Sequence, residues 1–113
     1  MATDPKTLRK LALRECPGID GEALEALANH LPELRELDIT EAAITAGSVS
    51  ALLDKLPMQV LNISRCNGVD SSIMGALRGQ GTMRELVLRG LGWVSDERLQ
   101  ELKSLPQMKR VRR

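Results

Sequence analysis

Few residues in this chain are of a type that does chemistry. Glu36 and Asp38 stand two apart, so on a strand their carboxylates would share a face roughly 7 Å apart. That separation is conceivable for a pair of glycoside-hydrolysing acids. The register derived below sets Lys10 beside Glu36, however, and no pocket-forming insertion accompanies the pair, so it reads as charge on an open, solvated face. His30 is the sole histidine. It falls where a helix should end, a place that favours a cation or a hydrogen-bonding ring, and no nucleophile shares its register. Cys16 and Cys66 are too few for a disulfide framework. They occupy one repeat position two coils apart, which separates them by about 10 Å, beyond the reach of a bridge. No histidine or further cysteine completes a metal set, so both read as small buried thiols. Gly79-Gln80-Gly81 and Gly90-Leu91-Gly92 lack the strand-turn-helix setting of a phosphate loop and read as turns. These residues imply neither catalysis nor a cofactor.

The elements that carry them must be built from 113 residues, enough for one domain over 1–113. With 42% hydrophobic and 27% charged residues the chain should fold. It has one Trp and no Phe or Tyr, so its core must be aliphatic, which suits a stack of thin identical layers better than a globule. The formal net charge of +1 supplies no global field for nucleic acid or an anionic membrane. No apolar run approaches the roughly 18–20 residues of a membrane span, and Met1 to Lys6 lack the apolar centre of a secretory leader. A reducing, cytoplasmic setting is the expectation.

Self-similarity decides the architecture. Segments beginning at Leu8, Leu34, Met58 and Met83 all read apolar-x-x-Leu-x-apolar-x-x-apolar, and another begins at Met108. Further columns recur at a period of 25: Ile19, Ile44, Val69 and Val94; then Leu24, Val49, Met74 and Leu99; then Leu27, Leu52, Leu77 and Leu102. The repeats run over about 8–33, 34–57, 58–82 and 83–107, with a terminal strand at 108–113.

Each unit has two halves. The first alternates with a period of two, as a strand requires. The second places Leu24, Leu27, Ala28 and Leu31, or Val49, Leu52, Leu53 and Leu56, at helical spacing. Asp20, Thr45, Asp70 and Ser95 are good helix N-caps because their side-chain oxygens accept from unpaired backbone N–H groups. Pro32, Pro57 and Pro106 stand where a helix should stop, and Gly79-Gln80-Gly81 ends the third. One unit cannot bury its own apolar face, so successive units must stack with their strands parallel.

The order Leu-x-x-Leu-x-Leu-x-x-Cys-x-x-Ile, then Leu-x-x-Leu-Ala and Leu-Pro-x-Leu, is best carried by Leu8 through Leu34. It resembles the cysteine-containing class of leucine-rich repeats, familiar from the substrate-receptor halves of F-box proteins. Gly21 to Ala28 also looks like the signature of bacterial GALA effectors. The resemblance spans about residues 5–113 and implies an α/β solenoid, a right-handed β-α superhelix. Its parallel sheet is concave, its helices are convex, and four repeats precede a fifth strand. Ala42 and Leu91 stand where the class has cysteine, and nothing resembles an F-box, so fold and binding carry over while ligase recruitment does not.

In such a coil the non-leucine strand positions form the concave face. One column is Lys10, Glu36, Val60, Glu85 and Arg110; the next is Ala12, Asp38, Asn62, Val87 and Arg112; a third is Arg14, Thr40, Ser64 and Arg89. They vary while the core columns repeat, as a recognition array needs. The face reads as acidic in the second repeat, basic at the last strand and apolar at Val60 and Val87, which suggests a charged protein partner. Trp93 aligns with Gly18 and Gly68 beside a buried anchor, and serves either as an exposed hot spot or as a cover on the core. The basic tail, Lys109, Arg110, Arg112 and Arg113, reads as charge protecting a sheet edge, and the near-absence of aromatics denies nucleic acid a stacking platform. The expected role is a non-catalytic protein-binding module, a monomer or a weakly self-associating species, with no small-molecule substrate and no membrane. The alternative is a scaffold stacking through its open ends. Activation of a small GTPase ranks lower, because the repeats that do so are longer than 25 residues.

Overall fold

A computed structural model describes residues 7–16 and 18–113. The first six residues of the expected domain, and Pro17, lie outside the described residues. Five strands, β1 (Lys10–Ala12), β2 (Glu36–Asp38), β3 (Val60–Asn62), β4 (Glu85–Val87) and β5 (Arg110–Arg112), form one sheet in chain order. All four pairings are parallel, with Lys10, Glu36, Val60, Glu85 and Arg110 side by side, and Leu11, Leu37, Leu61, Leu86 and Val111 beside them. Helices α1 (Gly21–His30), α2 (Ala46–Lys55), α3 (Met74–Gly79) and α4 (Asp96–Lys103) alternate with the strands.

Each strand is three residues long, with one core-facing residue between two that face outward, yet the pairing outlasts the strands. The amides of Leu13, Ile39, Ile63 and Leu88 donate to the carbonyls of Asp38, Asn62, Val87 and Arg112 at 2.7 to 3.1 Å. The chain then turns through a column of left-handed residues: Glu15, Glu41 and Arg65 at φ +52°, +65° and +56°, and Gly90 at +74°. For a residue with a Cβ this conformation costs about 1–2 kcal/mol. What holds it is the next coil, since the amides of Glu15, Glu41 and Arg65 donate to the carbonyls of Thr40, Ser64 and Arg89.

All four expected caps are in place. Asp20, Thr45 and Ser95 accept from the amide three residues on, at 3.0 to 3.2 Å. Asp70 instead accepts from Ser72, two residues on, and caps a 3₁₀ turn over Ser71–Ile73 that leads into the short α3. The third repeat was expected to carry a full helix. Ser71, Ser72, Gly75 and Gly79 are weak helix formers, and tighter bonding replaces the first turn.

The repeated columns meet in one continuous core. Leu34, Ile39, Met58, Leu61, Ile63, Leu77, Met83, Leu86 and Leu88 are fully buried, and each such Leu, Ile or Met contributes about 1.5–3 kcal/mol of transfer free energy. Cys66 joins them, its Sγ donating to the Ile39 carbonyl at 3.1 Å in the coil before. Burial pushes its thiol above the ordinary range, although backbone hydrogen bonds from Ala42 and Glu41 counter this. Cys16, expected to be buried likewise, is exposed. Among the described residues no coil precedes it, so nothing lies where Ile39 lies against Cys66. Among the described residues no helix is long and apolar enough to cross a membrane.

Candidate functional site

The concave face is built from the positions that flank each buried strand leucine. Lys10, Ala12, Arg14, Arg89, Arg110 and Arg112 are exposed on it, and Glu36, Asp38, Thr40, Val60, Asn62, Glu85 and Val87 are half-buried. Half-burial follows from the parallel register, because each side chain leans on equivalents one strand away.

The charges pair between coils, Lys10 with Glu36 as the register expects. Glu36 pairs with Lys10 at 3.4 Å, Glu41 with Arg65 at 3.5 Å and Glu85 with Arg110 at 3.2 Å. Asp38 is the most heavily used. Its Oδ2 meets the Arg14 guanidinium and accepts from the Asn62 amide at 3.4 Å. Its Oδ1 accepts from both the backbone N–H and the hydroxyl of Thr40, at 3.1 and 2.7 Å. Burial pushes the Asp38 carboxyl up, but the Thr40 hydroxyl, Arg14 and the Thr40 amide outweigh it and hold the group below the ordinary carboxylate range. The second repeat therefore does not present free acid: its carboxylates are neutralised by cations from neighbouring coils. The exposed pairs are worth little individually, yet they remove negative charge from the face.

Ser64 departs from its expected place on the open surface. It is 4% exposed, and its Oγ accepts from the Arg89 amide at 3.1 Å. A short hydroxyl there satisfies the next coil's backbone instead of reaching outward. Asn62 does a related job, its Oδ1 accepting from the Ser64 amide at 3.0 Å.

Trp93 lies off the sheet, in the turn before α4. It is half-buried and packs against the core, with its indole N–H donating to the Val69 carbonyl at 2.8 Å. Arg98 donates in turn to the Trp93 carbonyl at 2.8 Å. Its polar atom is thus used internally, and the ring ties the fourth coil to the third. Of the basic tail, Arg110 is held by Glu85, and Arg113 by Asp96 and the Val94 carbonyl.

An open groove of about 650 Å³ runs along the end of the face where the strands finish, lined among others by Arg14, Thr40, Asn62, Val87, Arg89 and Arg112. Glu15 and Arg65 also line it, and neither was among the expected surface residues. Their signal was positional: they follow the third column by one residue, at the left-handed turn. A second depression, of about 620 Å³, lies on the helical side between α1 and α2 over Gly47, Ala51 and Leu52. Among the described residues no group of three His, Cys, Asp or Glu side chains is placed to hold a metal ion.

The five-stranded parallel sheet with alternating helices defines the class, a leucine-rich-repeat α/β solenoid. The Leucine Rich repeat family model matches residues 5–28, the first strand and most of α1. No curated protein matches the chain.

Proposed function

We propose that this solenoid is a non-catalytic recognition module that holds a protein partner on its concave face. Domains of this repeat class generally mediate protein–protein interaction. The observation that carries the reading is the division of labour in each strand. The central residue repeats and is buried in the inner strands, whereas its flanking residues differ from coil to coil and face one continuous open surface. A rigid backbone with variable side chains keeps the ordering cost of binding low. A substrate-receptor or adaptor role, as in the cysteine-containing repeats, is the finer form of this proposal. Its support is Cys66, whose thiol bonds across coils.

Stacking of copies through the ends has a charge argument against it. Continuing the observed register would set Lys10 of one copy beside Arg110 of another, and like charges directly opposite on a sheet are destabilising.

The test is photocrosslinking in the native cell. A photoreactive phenylalanine analogue replacing Val87 on the sheet should capture a discrete protein, and the same analogue replacing Ala51 on α2 should not. Capture from position 51 alone would overturn the proposal.

A further inference from the structure

The proposed recognition face has a charge imbalance that net charge conceals. Each carboxylate on its strands has a cation from a neighbouring coil: Glu36 with Lys10, Asp38 with Arg14 and Glu85 with Arg110. Arg89 and Arg112 are exposed, and among the described residues neither guanidinium has an acid partner. Both line the groove at the strand ends, beside Arg14 and Arg65, whose charges are already met by Asp38 and Glu41. Glu15 is the lone acid in that lining and belongs to the first coil, far from β4 and β5.

We infer that the C-terminal half of the concave groove recognises an extended acidic peptide segment of its partner, with Arg89 and Arg112 binding alternate carboxylates. This rests on the concave-face reading above. The geometry selects the occupant. Val87 pairs with Arg112, so Arg89 is displaced from Arg112 by one strand across and two residues along, about 8 Å. Carboxylates at alternate positions of an extended chain are spaced about 7 Å apart. Two arginine positions at that spacing can offer one guanidinium fork to each of two side-chain carboxylates, each able to accept two parallel N–H bonds. Val87 is half-buried beside both arginine positions and gives the methylene stems of the two carboxylate side chains an apolar floor, while Asn62 supplies an amide at the rim. The groove has no aromatic lining, so it lacks the stacking surface by which single-stranded nucleic acid is held. The backbone beneath Arg89 is fixed by its hydrogen bond to Ser64, which presents the side chain at little ordering cost.

The test is fluorescence anisotropy at about 50 mM salt, where surface attraction is weakly screened. The probe is a labelled nonapeptide of alternating Glu and Val, with a Lys and Val counterpart and an oligothymidylate as comparators. The acidic peptide should bind, and the Arg89→Glu, Arg112→Glu double variant should weaken it by about tenfold or more. Lys103→Glu on α4 should leave binding unchanged, and all variants should melt with the parent. Absence of binding by the acidic peptide, or equal binding by the oligothymidylate, would overturn the inference. In the crosslinking experiment, capture from position 87 that persists unchanged in the double arginine variant would also overturn it. That last result leaves the concave-face reading standing, whereas loss of capture from position 87 in the parent removes both.

Discussion

The first coil and the third carry the same apolar pattern but differ in what its residues do. Leu8, Leu11, Leu13 and Ile19 are only partly buried. Their equivalents Met58, Leu61, Ile63 and Val69 are at 0–1% exposure. Cys16 is exposed and Cys66 buried. The difference lies in neighbours: among the described residues the third coil is covered on both sides, the first on one. In a solenoid the worth of a residue is set by coil position as much as by residue type.

The largest expected test of that contrast is a pair of truncations. Leu61→Ala should cost about 3 kcal/mol or more in chemical denaturation, because the inner coils cannot collapse onto the cavity. Leu11→Ala should cost about 1 kcal/mol, since water already reaches the site. Equal losses would remove the distinction. A pair of glycines sharpens it. A Cβ on Gly68 would sit 2.3 Å from the Ile44 carbonyl oxygen, so Gly68→Ala must push two inner coils apart, at about 2–3 kcal/mol. A Cβ on Gly18 meets nothing within 4 Å, although its φ of +88° disfavours a side chain, and Gly18→Ala should cost about 1 kcal/mol. Thermal or urea melts rank the two. The smallest effect concerns the thiols. Cys66→Ser should lose about 1 kcal/mol and Cys16→Ser almost nothing. In the parent protein, alkylation followed by peptide mass mapping should find Cys16 modified first, with Cys66 protected until its coil opens. Simultaneous modification of both would show that the inner coils breathe as freely as the outer one.

Much of this was legible in the sequence, because the fold repeats its instructions. The strand register, the four N-caps and the buried columns followed from a period of 25 and the alternation within each unit. Four things were not legible. Cys16 and Cys66 share a motif position, and only coil order distinguishes their environments. The 3₁₀ entry to α3 depends on Asp70 reaching Ser72 instead of the next amide, a competition between caps that periodicity does not encode. The electrostatics of the face depended on diagonals. A column reading places Arg14 and Asp38 in different columns, whereas the Arg14 side chain reaches back to Asp38, leaving the second repeat neutralised where the sequence suggested acid. The left-handed turn was hidden for the same reason, since Glu15, Glu41 and Arg65 carry no glycine signature and only Gly90 marks the position.

Among the bonds joining one coil to the next, one set recurs as a ladder, from Leu13 to Asp38, Ile39 to Asn62, Ile63 to Val87 and Leu88 to Arg112. Because that ladder runs along the axis, tension applied to the two termini loads its rungs in turn and not all at once. Under stretching the molecule should therefore pay out chain one winding at a time at low force, as a spool does, starting from whichever terminus has least covering it.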